Sequence, residues 1–198
     1  MENINIAFQE KSDLVNSLVK NDDNGTGILE KKLISFCLEK NAARTKVIFE
    51  DNFPIEDSEV DLVCSHLSKI QDEVFFDIHL FDLNLEGITI SGIERILKYR
   101  SYLIGYLRQR GYLEKESRYP KFRIKCHLIG SYSDWTEEEF NIMAHLQSAF
   151  DLYNHEYYFN PLKGLCFNSY RSCEKPDVSR KNENLDNLLD CHCDFSKS

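Results

Sequence analysis

The chain has 198 residues, with 33 acidic against 24 basic side chains and a formal net charge of −9. That balance argues against a general nucleic-acid binder, because affinity for phosphate polymers comes largely from basic charge. A hydrophobic fraction of 42%, with 13 Phe and 10 Tyr, is enough for a packed core, which excludes wholesale disorder and fits one domain with appendages.

No run approaches the roughly 18 apolar residues that span a bilayer. The start, MENINIAFQEKSD, has neither a basic lead nor an apolar stretch of signal-peptide type. Seven cysteines, an odd number without framework spacing, read as reduced thiols. The expected location is cytoplasmic, or outside the cell by export without a cleaved signal peptide.

In chain order, Phe8, Leu14, Val15, Leu18 and Val19 predict a short helix, closed by the turn composition NDDNGTG. Thr26 is placed to cap a second helix, in which Ile28, Leu29, Leu33, Ile34, Cys37 and Leu38 recur at helical spacing. Residues 1–43 thus read as an N-terminal helical segment. Lys46 to Phe49 predicts a short strand. Asp57 or Ser58 would then cap a helix carrying Val60, Leu62, Val63, Leu67 and Ile70. Glu73 to Leu83 is the clearest strand, its Val74, Phe76, Ile78 and Leu80 alternating with Phe75, Asp77, His79 and Phe81. Ser91 is placed to cap a long helix from Gly92 to about Arg110, ended by Gly111. Phe122 to Ile129 alternates as a third strand. Ser133 or Asp134 is placed to cap a helix beginning TEEE, whose acids suit a helix N-terminus and which fades near Tyr157. The expected fold is therefore α/β: a small sheet of about three strands alternating with helices over residues 44–160, preceded by one or two N-terminal helices. Residues 161–198 read as a C-terminal extension, largely a mobile tail.

Charge is unevenly spread. From Glu94 to Lys125 ten basic side chains face three acids, a local +7 that leaves −16 for the rest of the chain. Within the long helix, Tyr99, Tyr102 and Tyr106 form a stripe beside the cations. Rings and forked guanidinium donors in that pattern suit a carboxylate- or phosphate-bearing ligand. Arg95, Lys98, Tyr99, Tyr102, Tyr106, Arg108 and Arg110 are the candidate binding residues. The structural alternative packs the tyrosines at the rim of the core and pairs the cations with the surplus acids.

Other chemistry is less complete. A thiol nucleophile needs a histidine base and an orienting group, and Cys166, His127 and Asp134 are the set that the pattern offers. Cys37, Cys64 and Cys126 fall on apolar faces and read as small core residues. Cys191, His192 and Cys193 lack the doubled ligand pairs of structural zinc, so neither a metal nor a cofactor is expected. The expected function is a protein-binding or regulatory module of adaptor, effector or toxin-neutralising type, without catalytic activity. It would dock another protein through the basic helix or the acidic surface around it. The alternatives are a thiol-dependent hydrolase or transferase, and a binder of RNA or of a phosphorylated ligand.

Overall fold

The computed structural model describes residues 8–20, 27–38, 42–56, 58–113, 120–133 and 135–170. In chain order these form α1 (Lys11–Val19), a π-helical segment (Leu29–Ile34), β1 (Ala43–Arg44), β2 (Ile48–Ile55), β3 (Ser58–Ile70) and β4 (Glu73–Leu83). Then come α2 (Ile90–Gln109), β5 (Lys121–Gly130), α3 (Glu137–Phe150), β6 (Leu152–Asn160) and β7 (Gly164–Tyr170). The strands make one mixed sheet, curled into a half-barrel, in the order β1-β3-β4-β5-β6-β7, with β2 also on β3.

The sheet centres on the β3–β4 hairpin, whose two-residue turn is made possible by the positive φ of 55° at Gln71. The β4–α2–β5 and β5–α3–β6 connections bring β5 parallel to β4 and β6 parallel to β5. Every other pairing is antiparallel.

This corrects the expectation of a three-strand sheet alternating with helices. Residues 58–70, expected to be helical, form the longest strand. The apolar set Val60, Val63, Leu67 and Ile70 has helical spacing, yet Val60, Leu62, Cys64, His66 and Ser68 are the residues buried, while Leu67 stays 36% exposed. Two of those five are polar, so the true two-residue period was hidden in a hydrophobic reading. Residues 152–160, read as the fading end of a helix, are β6. Asp151 takes a left-handed conformation (φ 50°) and turns the chain straight from α3 into the strand. β7 continues the sheet past residue 160. The cap of α3 is Thr136, not Ser133: Glu139 N–H donates to Thr136 Oγ1 at 3.2 Å. The expectations for Thr26, Asp57 and Asp134, and for residues 171–198, lie outside the described residues.

Each face of the sheet has its own core. α2 and α3 cover one face, where Ile93, Ile96, Tyr99, Leu107 and Met143 meet Ile78, Leu80, Ile124, Cys126, Leu128 and Leu152. α1 and the π-helical segment cover the other, placing Leu14, Leu18, Leu29, Leu33 and Ile34 against Leu62, Cys64, Phe81, Leu83 and Ile129. Burying side chains of this size contributes roughly 1.5–3 kcal/mol each. Among the described residues, no helix is long and apolar enough to cross a membrane.

Candidate functional site

The first candidate is α2. Its N-cap is Thr89, not Ser91: Gly92 N–H donates to Thr89 Oγ1 at 3.3 Å. Gly111 ends it with φ 72°, and Tyr112 N–H donates back to the Leu107 carbonyl. The seven residues proposed for binding divide into two groups. Arg95 turns inward and forks onto buried Asp82, Nε to Oδ1 at 2.5 Å and Nη2 to Oδ2 at 2.8 Å. Gly92 makes room for this pair, since a Cβ there would stand 3.1 Å from Asp82 Oδ2. Tyr99 is buried in the core. These two residues hold the helix down.

Of the other five, Lys98, Tyr106, Arg108 and Arg110 are exposed, while Tyr102 is half-buried and packs against the core on the α2 side. Lys98, Tyr102, Tyr106 and Arg110 follow one another at intervals of four and so share a single ridge. Lys98 Nζ lies 5.5 Å from the Tyr102 ring centroid, and the Arg110 guanidinium 5.3 Å from that of Tyr106. Tyr106 is 52% exposed. Gly105 lies between the two tyrosines in sequence, and nothing stands within 4 Å of where its Cβ would be. Arg108 is exposed as well, but two residues from both Tyr106 and Arg110 it stands on another side of the helix. Among the described residues, Lys98, Arg108 and Arg110 form no salt bridge.

The set Cys166, His127 and Asp134 is dispersed. Asp134 lies outside the described residues. Cys166 alternates along β7 with Leu165 and Phe167, which pack on the α1 side of the sheet, so it projects from the opposite side. His127 is on the α1 side, fully buried, and both of its ring nitrogens are taken by other histidines.

Those contacts belong to an arrangement that sequence reasoning missed. His66 of β3, His79 of β4, His127 of β5 and His155 of β6 form a hydrogen-bonded row across the sheet, ending on Ser169 of β7. His66 Nε2 and His79 Nε2 are 3.2 Å apart, and His79 Nδ1 and His127 Nε2 are 2.9 Å apart. His127 Nδ1 and His155 Nε2 are 2.9 Å apart, and His155 Nδ1 is 2.7 Å from Ser169 Oγ. The register explains the line. His79 sits opposite Cys64 and Lys125, and His127 opposite Phe81 and Tyr153, so each step from ring to ring is diagonal until His155 meets Ser169 directly. Phe81 stacks on His127 at 4.3 Å, Tyr153 also stacks on it, and Phe36 sets its edge against His155.

At the β3 end the row meets a buried ion cluster. Asp77 accepts from Arg123 Nε at 2.7 Å and Nη2 at 2.8 Å, and from the Ser68 hydroxyl. Lys125 Nζ is 3.5 Å from Asp77 Oδ1 and donates to the Cys37 carbonyl at 3.2 Å, tying the segment after the π-helical turn to the sheet. His66 Nδ1, 3.8 Å from Asp77 Oδ2, has no hydrogen-bond partner among the described residues.

Burial tends to raise the Asp77 carboxyl, but Arg123, Ser68 and Lys125 outweigh it and hold the group down at about 2. Burial drives His155 down to about 3 and takes His79 and His127 far below the ordinary imidazole value. His66 is lowered by burial too, against the pull of Asp77. The row is therefore neutral at pH 7.

The sequence held one trace of this. Asp77, His79 and Phe81 share a strand face, but four histidines spread over some 90 residues align only once the strand register is known. No group of three or more His, Cys, Asp or Glu suited to a metal occurs among the described residues. Compared with known protein families, with curated proteins and with solved structures, the chain matches none.

Proposed function

We propose that this chain is an intracellular protein-binding module that docks an acidic surface of a partner through the Lys98–Tyr102–Tyr106–Arg110 ridge. The observation that carries this reading is the division of labour on α2. Arg95 and Tyr99 anchor the helix to the sheet, while Lys98, the half-buried Tyr102, Tyr106 and Arg110 follow in line, the two cations without acidic partners among the described residues. Rings flanked by cations supply a desolvatable contact area together with forked donors for carboxylates. A tyrosine at the centre of such an interface typically contributes about 2 kcal/mol, roughly thirtyfold in affinity.

The test is affinity capture from lysate of the source cells, with the wild type and the triple variant Lys98→Ser, Arg108→Ser, Arg110→Ser as baits of matched far-UV dichroism. Arg95 is left in place because it is internally paired. Loss of the proteins captured by the wild type, with the fold retained, supports the reading. An unchanged set of captured proteins moves the docking face elsewhere. Capture of RNA in place of protein, weakening steeply with salt, would assign the ridge to nucleic acid instead.

A further inference from the structure

We infer that the histidine row is a tautomeric relay, in which the uptake of one proton, its charge resting on His66, reverses the hydrogen-bond direction at Ser169, four strands away. Each neutral imidazole carries one N–H, and each of the three ring-to-ring contacts holds one proton. A fully bonded neutral row therefore has only two states, and they run in opposite directions. In one, His66 Nε2–H donates toward His79 and every later ring donates onward from Nδ1. His66 Nδ1 is then a bare lone pair, buried and facing a carboxylate. In the other, His66 holds its proton on Nδ1, toward Asp77, while His79, His127 and His155 hold theirs on Nε2 and Ser169 O–H donates to His155 Nδ1. The Asp77 carboxylate, 3.8 Å from His66 Nδ1, selects the second state.

Protonating His66 gives it N–H groups on both sides, so His79 Nε2 must become an acceptor. The proton His79 held there is the one that His66 gains. His79 takes its new Nδ1 proton from His127, His127 from His155, and His155 from the Ser169 hydroxyl, which recovers a proton from solvent. The net change is one proton bound, with no contact broken. A charge on any other ring would lie farther from Asp77. The groups facing His66 fit this resting place. Asp77 attracts the proton, while burial, Lys125 of β5 and Arg44 of β1 (itself paired with Glu30 of the π-helical segment) oppose it and set how acidic the medium must be. Ser169 is half-exposed near the end of β7, so the reversal frees its O–H for an acceptor outside the protein. By linkage, such an acceptor in turn raises the proton affinity of His66.

The test is long-range ¹H–¹⁵N correlation of the imidazole nitrogens in the full chain labelled at histidine, titrated downward from pH 8. At the start, His66 is expected as the Nδ1–H tautomer and the other three rings as Nε2–H. One midpoint is expected on acidification, at which His66 becomes imidazolium and His79, His127 and His155 together change to Nδ1–H while staying neutral. In His127→Phe, which removes one link, His66 and His79 still change and His155 does not. Four rings that hold fixed tautomers until the protein unfolds would overturn the inference, as would His155 changing alike in both proteins. If His127→Phe does not fold, the wild-type titration alone decides between the coupled and the fixed pattern.

Discussion

Asp77→Asn tests the buried end of the site most severely. Asparagine keeps the shape of the side chain but removes the charge that Arg123 Nε and Nη2 approach at 2.7 and 2.8 Å. It leaves a guanidinium 21% exposed and an ammonium 6% exposed beside a neutral group. Removing one partner of a buried ion pair costs about 3–5 kcal/mol. Linkage gives a second figure. A carboxyl held at about 2, against an ordinary 3.8, is worth about 2 kcal/mol at neutral pH. That value is smaller because a protonated carboxyl still hydrogen-bonds to its neighbours. The expected loss in urea unfolding at pH 7 is therefore about 2–5 kcal/mol, out of a total of roughly 5–15. In a chain of this size the melting temperature should fall by about 5–20 °C. The sign with pH is specific. Because the folded pKa is depressed, this stabilisation is complete above about pH 4 and is lost as pH falls toward 2. The wild type should show that loss and Asp77→Asn should not. A variant within about 0.5 kcal/mol of the wild type at pH 7 would refute the view that Asp77 neutralises the cluster.

The neutral row carries its own pH dependence. His155 takes up a proton near 6.5 when unfolded and only at about 3 when folded, so its contribution is complete above about pH 6.5 and declines as pH falls. The decline is up to about 1.4 kcal/mol per pH unit, or about 2 kcal/mol by pH 5. Because burial lowers His66, His79 and His127 as well, stability from urea unfolding between pH 7.5 and 5 should fall by at least that slope in the wild type and less steeply in His155→Gln; equal slopes would contradict it. For the thiols, burial pushes Cys64 far up and Cys126 up to about 12, so under native conditions both should resist a maleimide reagent that labels Cys166. Mass mapping of the sites is the check, and rapid labelling of Cys64 would show that the sheet face opens.

Local pattern carried part of the fold a long way. The strict alternation of Glu73–Leu83 and the apolar spacing of Ile90–Gln109 closed by Gly111 describe a strand and a helix in any context, although the cap is Thr89 and not the expected Ser91. β3 was not legible, because its buried residues include His66 and Ser68 and its apolar ones also fit a helical spacing. β6 was hidden behind α3, from which it is parted only by Asp151 in a left-handed turn. The ridge on α2 could be read from intervals of four, but not which of its neighbours turn inward. Arg95 and Arg110 look alike in sequence, and only the position of Asp82 at the end of β4 tells them apart.

What the residues determine by themselves is what neighbouring side chains settle: an acidic chain, a core rich in rings, one basic helix among acids, and a central strand with one apolar face. What the tertiary structure decided is everything that depends on register. Which face of β3 is buried, which cation has an acid, and whether four distant histidines touch all follow from how strands slide past one another. A shift of one residue would send His66, His79, His127 and His155 to opposite faces. That alignment is a property of the whole sheet, for its partners are contributed by five strands and no local stretch contains more than one of its links.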